Sequence, residues 1–244
     1  MSVCNCKSCP LIDNGDSLCG RLTSKQLQEI SRHSGTFALK RRATLDPMPS
    51  EEGAVIIVID GVVGTQNTLT DGRQTITAYY TRGDIVDLRG AATHMHAHLI
   101  ALTRAQVCRV ETAAFQSVLE SNHEACFALT SKLREQISLM GEHAADLGKK
   151  QSIERLASFL LECHIRSGYN DSKPAKIAIP MPRISLADYM ALQPETVSRC
   201  MRQLEDMKLI ETSAGNLVTI RDLVRLKELA AGGSKPGLNG AIER

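Results

Sequence analysis

The chain has 244 residues, enough for two domains that each bury a core, and a formal net charge of only +2. This balanced charge gives no general attraction to nucleic acid, and the lack of tryptophan argues against base-stacking platforms for single strands. Any bound nucleic acid is therefore expected to be duplex. The N-terminus has no signal-peptide core, and the longest apolar run, residues 54–59, is too short to cross a membrane, so we expect a cytoplasmic protein.

Half of the eight cysteines lie within the first nineteen residues, and these are Cys4, Cys6, Cys9 and Cys19. In a reducing compartment this clustering indicates metal ligation or redox chemistry before structural disulfides. Cys6 and Cys9 have the two-residue separation that lets neighbouring thiolates bind one metal or cluster. The spacing leaves three alternatives open: an iron–sulfur cluster completed by a distant thiolate, a structural zinc, or thiols without a metal.

Residues 24–110 show short alternating apolar runs separated by glycine turns, a pattern typical of an antiparallel β-roll or barrel. The predicted strands cover residues 55–59, 75–80, 85–86 and 101–110. Asp-Gly and Gly-Asp pairs between them supply the turns.

Three alternating histidines, His94, His96 and His98, lie within this region and would share one face of a strand. Such a trio could bind a metal, as in a cupin-type metalloenzyme. No carboxylate follows at a matching interval and no nucleophile–base pair is evident. We therefore prefer a solvated loop or strand here and do not expect an enzyme.

Residues 123–148 are predicted to form one long helix that Gly148 ends. Its apolar positions repeat at intervals of four, three, four and three residues, the spacing of a two-stranded seam. The seam positions are Leu133, Ile137, Met140, Ala144 and Leu147. We expect two copies to pair across this seam; packing of the helix against its own β-roll is the alternative. A second helix is predicted up to Gly168.

The stretch 184–209 is predicted to form two short helices that meet at a break over residues 192–194. Pro194 is expected to begin the second helix, because its missing N–H would have no partner there. The polar positions of the first turns are Glu195, Thr196, Ser198 and Arg199. These residue types can bond base edges in the major groove, as in a helix-turn-helix. An ordinary helical hairpin with a solvated polar face is the alternative.

The segments around these two helices complete a winged helix. A turn-rich linker, residues 169–182, precedes them, and residues 210–212 and 217–220 predict a β-hairpin after them. Asp222 is predicted to cap a last helix that ends at Ala231. The tail from residue 232 has no apolar periodicity and is expected to be disordered.

This order of parts resembles the CRP/FNR superfamily of bacterial transcription regulators over nearly the whole chain. Three stretches carry the resemblance: 194–199 (PETVSR), like the recognition-helix signature; 83–86 (GDIV), like the end of the roll; and 153–159 (IERLASF), like the helix after the dimerisation helix. The resemblance implies an α+β fold with an N-terminal antiparallel β-roll like that of cyclic-nucleotide-binding domains, a long dimerisation helix and a C-terminal winged helix-turn-helix. The implied segments are 1–22 for the cysteines, 23–122 for the roll, 123–148 for the long helix, 149–231 for the winged helix and 232–244 for the tail.

Within this superfamily the chain is most similar to the FNR branch. Cyclic-nucleotide members hold the phosphate with a Gly-Glu pair and a downstream Arg-Ser or Arg-Thr, and the sequence after Gly83 has neither. FNR-like members ligate a [4Fe–4S] cluster with three N-terminal cysteines and one near the end of the roll. The resemblance implies the ligands Cys6, Cys9, Cys19 and Cys108. Cys4 is the alternate, since the gap before Cys19 is longer than in the usual pattern.

The resemblance also implies a function: an oxygen-responsive regulator, of the activator type, for anaerobic or microaerobic genes. It would bind TTGAT-like inverted repeats as a homodimer while the cluster is intact, and act together with RNA polymerase. A regulator with another input is the alternative: haem, nitric oxide, zinc-bound or metal-free thiols, or no ligand.

One residue before the recognition helix and one inside it carry further expectations. Ala191 stands where the family often has glycine, so we expect slight strain in that turn. Cys200 is interpreted as a packing residue, with a second redox sensor as the alternative.

Overall fold

The computed structural model describes residues 2–3, 6–13, 15, 17–45, 53–87, 96–167 and 175–233. The chain divides into two compact units, Met1–Gly141 and Glu142–Arg244. The boundary falls inside one long helix, which the sequence assigned to a segment of its own. No helix of the described ranges has the length and apolar character that a membrane crossing requires.

The first unit is an antiparallel β-roll flanked by helices. Its strands are β1 Ser2–Val3, β2 Ser34–Leu39, β3 Thr44–Leu45, β4 Ala54–Asp60, β5 Val63–Thr68, β6 Gln74–Tyr80, β7 Ile85–Asp87, β8 His96–Ala101 and β9 Ala105–Glu111. Its helices are α1 Ser24–Arg32, α2 Thr112–Ser121 and the first part of α3 His123–Lys149. One sheet has the order β1-β2-β9-β4-β7 and the other the order β3-β8-β5-β6.

Strand β4 is buried on both faces, because its side chains alternate between two apolar clusters. The outer cluster consists of Cys6, Leu11, Leu18, Leu22, Ile30, Val55, Ile57, Ile59, Ile85, Cys108, Val110, Phe115, Val118 and Ala125. The inner cluster consists of Leu39, Ile56, Val58, Val63, Val86, Leu99, Ala101, Ala105 and Val107. The outer cluster covers the roll with the N-terminal segment, α1 and α2, whereas the inner one fills the roll between its sheets.

The roll differs from the sequence prediction in two places. Residues 24–32 form helix α1, which was not predicted within this region of strands, with Thr23 and Gln26 as its capping box. The predicted run 101–110 is two segments, since β8 ends at Ala101 and β9 begins at Ala105. The strands predicted at 55–59, 75–80 and 85–86 are confirmed within one residue at each end.

Helix α3 runs for 27 residues, and Asn122 caps it by accepting a hydrogen bond from Ala125 N at 3.0 Å. The prediction that Gly148 ends the helix is wrong by one residue. The Arg155 guanidinium donates to the carbonyl oxygens of Leu147 at 3.0 Å and Lys150 at 3.0 Å. These bonds satisfy carbonyls of the last turn, so the helix needs no left-handed glycine to finish it.

The second unit is a winged helix. Its elements after α3 are α4 Ser152–Arg166, β10 Lys176–Ala178, α5 Arg183–Tyr189, α6 Pro194–Asp206, β11 Ile210–Ser213, β12 Leu217–Ile220 and α7 Leu223–Ala230. The sheet has the order β10-β12-β11. Strand β10 lies in the predicted linker, and it forms because Ile177 pairs with Val218. The predicted hairpin and the cap at Asp222, which accepts from Arg225 N at 3.0 Å, are confirmed. Of the predicted tail, residues 234–244 lie outside the described part.

Candidate DNA-binding surface and sensor segment

Helices α5 and α6 form the predicted pair, and Pro194 is the first residue of α6, as predicted. Helix α6 buries one face, made of Val197, Cys200, Met201 and Leu204. The opposite face carries the predicted base-reading residues: Glu195 and Arg199 are exposed, and Thr196 and Ser198 are partly buried. All four therefore lie together on the side of α6 that is left open for a duplex, and their contacts with DNA remain a prediction.

The hydroxyl of Ser198 is held by two neighbours. Arg183 Nη1 donates to Ser198 Oγ at 3.1 Å, and Ser198 Oγ donates to the carbonyl oxygen of Pro194 at 2.9 Å. Arg183 is the first residue of α5 and is exposed. The sequence prediction overlooked this arginine, because the contact joins two helices and has no local signature.

The turn between α5 and α6 places Ala191 at φ +51°. A side chain in this left-handed region brings Cβ close to the backbone, at a cost of about 1–2 kcal/mol. The expected strain at this position is therefore present.

The hairpin of β11 and β12, the wing of this domain, is anchored to helix α6 through Glu205. The Glu205 carboxylate accepts from Thr212 N at 2.9 Å and from the Thr212 hydroxyl. These two bonds, followed by the nearby Arg183 and Arg202 charges, lower the pKa of Glu205. The anchor is thus ionised at neutral pH and fixes β11 beside the C-terminal end of α6.

Cys200 is only 3% exposed, on the inner face of α6. Burial raises the pKa of its thiol, and the Arg199 charge opposes this only in part. A buried thiol with a raised pKa is a poor nucleophile, which favours the packing role over the redox role.

In the second unit, the end of α3 is joined to the helix-turn-helix by two contacts. The His143 ring stacks on the Tyr189 ring with centroids 3.8 Å apart and planes 2° apart. Arg155 of α4 bridges the two, since its guanidinium donates both to the Leu147 carbonyl oxygen of α3 at 3.0 Å and to the Met190 carbonyl oxygen at 3.1 Å. The orientation of the turn before α6 therefore depends on the last turns of the long helix.

The predicted seam of α3 is open to solvent in the single chain. Leu133, Ile137 and Met140 are 43%, 68% and 48% exposed. Ala144 is exposed as well, and Leu147 is half-buried. Phe127, 73% exposed, was not predicted; it lies six residues before Leu133 and about a third of a turn away from this stripe. Large apolar side chains exposed along one helix face are typical of a surface that binds a partner.

The structure brings the predicted cluster ligands to one side of the roll. Cys6 and Cys108 are buried members of the outer cluster, and Cys9 and Cys19 pack against it. Cys108 lies on the central strand β9, opposite Ile57 of β4. Cys4 lies outside the described residues. Within the described part of the chain, no group of three or more His, Cys, Asp or Glu side chains is arranged to hold a metal ion.

The turn after β6 connects this N-terminal segment with α3. Arg82 Nη2 donates to the Pro10 carbonyl oxygen at 2.6 Å. Two residues later, Asp84 forms an ion pair with Lys132 of α3, with Oδ1 and Nζ 3.0 Å apart. A second bond runs from Gln136 Nε2 to the Ile85 carbonyl oxygen at 3.3 Å. The stretch 83–86 (GDIV), which carried part of the family resemblance, thus binds α3 through Asp84 and Ile85. Its sequence did not indicate this structural role.

The histidine trio has no assembled metal site in the described part. His98 lies on β8, with Nε2 2.9 Å from Gln66 Oε1. His94 lies outside the described residues, as does the side chain of His96.

The chain matches two family models: a cyclic nucleotide-binding domain over residues 49–122 and a Crp-like helix-turn-helix domain over residues 154–229. It is 30% identical to the nitrogen fixation regulation protein FixK of Azorhizobium caulinodans over 176 residues, which cover 72% of this chain and 71% of that protein. It is 24% identical to the transcriptional activator protein FnrL of Cereibacter sphaeroides, over 96% of this chain and 94% of that protein.

Solved structures share the fold. The structure of FixK2 from Bradyrhizobium japonicum matches with a TM-score of 0.66 at 24% identity, over 84% of this chain and 99% of that one. A CooA mutant from Carboxydothermus hydrogenoformans matches with a TM-score of 0.68 at 20% identity, over 82% and 88%. The sequence relatives FixK and FnrL are transcription regulators and not enzymes. The chain belongs to the CRP/FNR family of DNA-binding transcription regulators.

Proposed function

We propose that this protein is an oxygen-responsive regulator of anaerobic or microaerobic genes, with a [4Fe–4S] cluster as its sensor. The cluster would be held by Cys6, Cys9, Cys19 and Cys108, with Cys4 as the alternate. The active form is a homodimer in the cytoplasm that binds TTGAT-like inverted repeats and activates transcription with RNA polymerase.

The observation that carries the proposal is the gathering of the four cysteines at one apolar cluster. Cys108 is separated by nearly ninety positions from Cys19, yet both pack at the outer cluster. Four sulfur donors suit iron–sulfur or zinc chemistry, and an apolar surrounding limits solvent access to such a site. When bound, an iron–sulfur cluster supplies oxygen-sensitive iron–thiolate bonds between the N-terminal segment and β9.

Two routes connect the cysteine segment to the dimerisation helix. Asn122 Nδ2 donates to the Arg21 carbonyl oxygen at 3.2 Å, while Asn122 Oδ1 caps α3. The second route is the turn after β6, where Arg82 holds Pro10 and Asp84 holds Lys132. The position of residues 6–22 therefore biases the start and the middle of α3. A full switch between monomer and dimer needs about 5.5 kcal/mol of differential stability, which a few such bonds together with the metal–sulfur bonds can supply.

The exposed seam of α3 supports a homodimer. A second copy of the helix would cover the five predicted seam positions, of which Leu133, Ile137 and Met140 are otherwise exposed to water. Dimerisation would place two copies of α6 about one helical turn of DNA apart, as binding to an inverted repeat requires.

The test compares protein purified without oxygen before and after exposure to air. We expect brown anaerobic protein that contains iron and sulfide, shifts a duplex with a TTGAT inverted repeat, and loses both colour and binding in air. Cys108→Ser should abolish the colour. Cys126→Ser is the matched control, because Cys126 is exposed on α3 and outside the outer cluster, and it should keep the colour.

Two outcomes would overturn the proposal in different ways. If the protein were colourless and contained one zinc per chain, the cysteines would bind a structural zinc and not an iron–sulfur cluster. Brown protein whose DNA binding does not change in air would remove oxygen as the input, while the family's DNA-binding function would stand.

A further inference from the structure

We propose that Arg183 positions the Ser198 hydroxyl so that it contacts the duplex only as a hydrogen-bond acceptor, and so selects a base that presents an exocyclic amine. This proposal rests on the proposed reading of bases by α6. It assigns a specificity-determining role to a residue outside the recognition helix.

The roles of the atoms around Ser198 are fixed by their chemistry. The Arg183 guanidinium has only donors, so Ser198 Oγ must accept in the 3.1 Å contact. The Pro194 carbonyl oxygen has only lone pairs, so Ser198 must donate its single proton in the 2.9 Å contact. This assignment needs no knowledge of where the hydroxyl hydrogen lies.

The bonding capacity that remains decides what the serine can recognise. A hydroxyl has one donor and two acceptor sites, and these two contacts use the donor and one acceptor. One lone pair is left for a ligand. In the major groove, the donors that can meet it are the N6 amine of adenine and the N4 amine of cytosine. Guanine and thymine offer acceptors there, which the remaining lone pair repels.

Arg183 is suited to this role because of its place in the fold. It begins α5, the helix that packs beside α6, and its charge also reaches Glu205, the anchor of the wing. Without Arg183 the serine regains a second lone pair and its alternative rotamers, because the bond to Pro194 is a local one that competes weakly with other partners. An exposed arginine near DNA could instead contact a phosphate, and that role predicts a different outcome.

The experiment uses full-length protein in the state that binds DNA, with a duplex that the protein itself selects from a random pool. Each adenine of the half-site is replaced in turn by purine, which lacks the N6 amine, and each cytosine by 2-pyrimidinone, which lacks the N4 amine. For the wild type we expect one half-site position where the analogue weakens binding about threefold to tenfold, the value of one neutral hydrogen bond.

The variants assign that position. The analogue effect should disappear in Ser198→Ala, shrink in Arg183→Met, and persist in Arg183→Lys, which keeps a donor and the charge. Arg202→Met is the matched control, since it removes a neighbouring exposed charge of α6 while Arg183 and Ser198 stay in place. It should keep the full analogue effect.

The result that overturns the proposal is an undiminished analogue effect in Arg183→Met. If that variant also binds all sequences equally more weakly and its salt slope falls by about one, Arg183 is a phosphate contact. An analogue effect that survives in Ser198→Ala would show that this serine reads no amine. Neither result depends on the response to oxygen, so failure of the sensor proposal is seen separately.

Discussion

Lys132 Nζ lies 3.0 Å from Asp84 Oδ1, and this ion pair joins helix α3 to the turn whose Arg82 also binds the N-terminal segment at Pro10. Asp84 is 1% exposed, and its other oxygen accepts from Thr81 N at 2.8 Å. Burial alone lowers the pKa of Lys132, but the Asp84 and Glu135 carboxylates outweigh it and the pKa is raised. Lys132 is therefore positively charged in the folded protein at physiological pH.

Replacing Lys132 should cost stability, because the Asp84 carboxylate would stay buried without its cation. We expect Lys132→Met to lower the free energy of unfolding of the roll by about 1–3 kcal/mol, below the cost for a fully buried pair because a third of the lysine side chain is exposed. Urea unfolding of the two proteins measures it. Arg134→Met, an exposed charge on the same helix, is the control; equal losses in both variants would show that the ion pair is of no special value.

Met140→Glu should weaken dimerisation and DNA binding together. Met140 is 48% exposed at the centre of the seam, and two copies of the variant would face each other with like charges in an apolar surrounding. Analytical ultracentrifugation measures the dimer, and a gel-shift titration measures DNA binding. Leu69→Glu makes the same kind of change at an exposed apolar residue off the helix and should leave both unchanged. Unchanged sedimentation of Met140→Glu would place the interface elsewhere.

The features predicted correctly from the sequence are those that depend on residues close together in the chain. Pro194 begins α6 for the reason the sequence suggested, and Asp222 caps α7 through its own neighbour Arg225. Strand β10 was missed because its three residues are strand only by pairing with β12, 39 to 43 positions away. The role of Arg155 was missed for the same reason, because its bonds to the carbonyl oxygens of Leu147 and Met190 arise from tertiary packing.

The candidate sites divide in the same way. The polar face of α6 follows from helical spacing, and the structure leaves that face open. Arg183 and the Asp84–Lys132 pair connect residues that are distant in sequence, so no spacing rule indicates them. The missed helix α1 is the exception, since the Thr23–Gln26 capping box was legible in the sequence.

Ala191→Gly should stabilise the second unit. At φ +51° alanine carries the left-handed penalty and glycine does not, although glycine loses more chain entropy on folding. We expect a net gain of about 0.5–1 kcal/mol, measured as a higher midpoint in urea unfolding. Ala231→Gly tests the reasoning, because Ala231 is also exposed at a helix end but has φ −80°. Ala231→Gly should not raise the stability. If both variants were more stable, the effect would not come from the positive φ at residue 191.

The stability of the second unit should fall as the pH falls below about 6.5, the ordinary pKa of histidine in an unfolded chain. Burial lowers the pKa of His143 in the folded state, and Arg155 lowers it further, whereas Asp146 and a backbone bond at Tyr189 oppose the shift in part. Because the unfolded chain then binds the proton more readily than the folded one, the free energy of unfolding falls as the pH falls over this window. The stabilisation is complete above pH 6.5 and is lost as the pH drops through the lowered pKa of His143. His143→Phe keeps a ring to stack on Tyr189 but cannot titrate. The difference between the urea midpoints of the wild type and His143→Phe, measured from pH 7.5 to 5, separates the contribution of His143 from those of the other histidines. If the two midpoints changed in parallel with pH, the protonation of His143 would not affect stability.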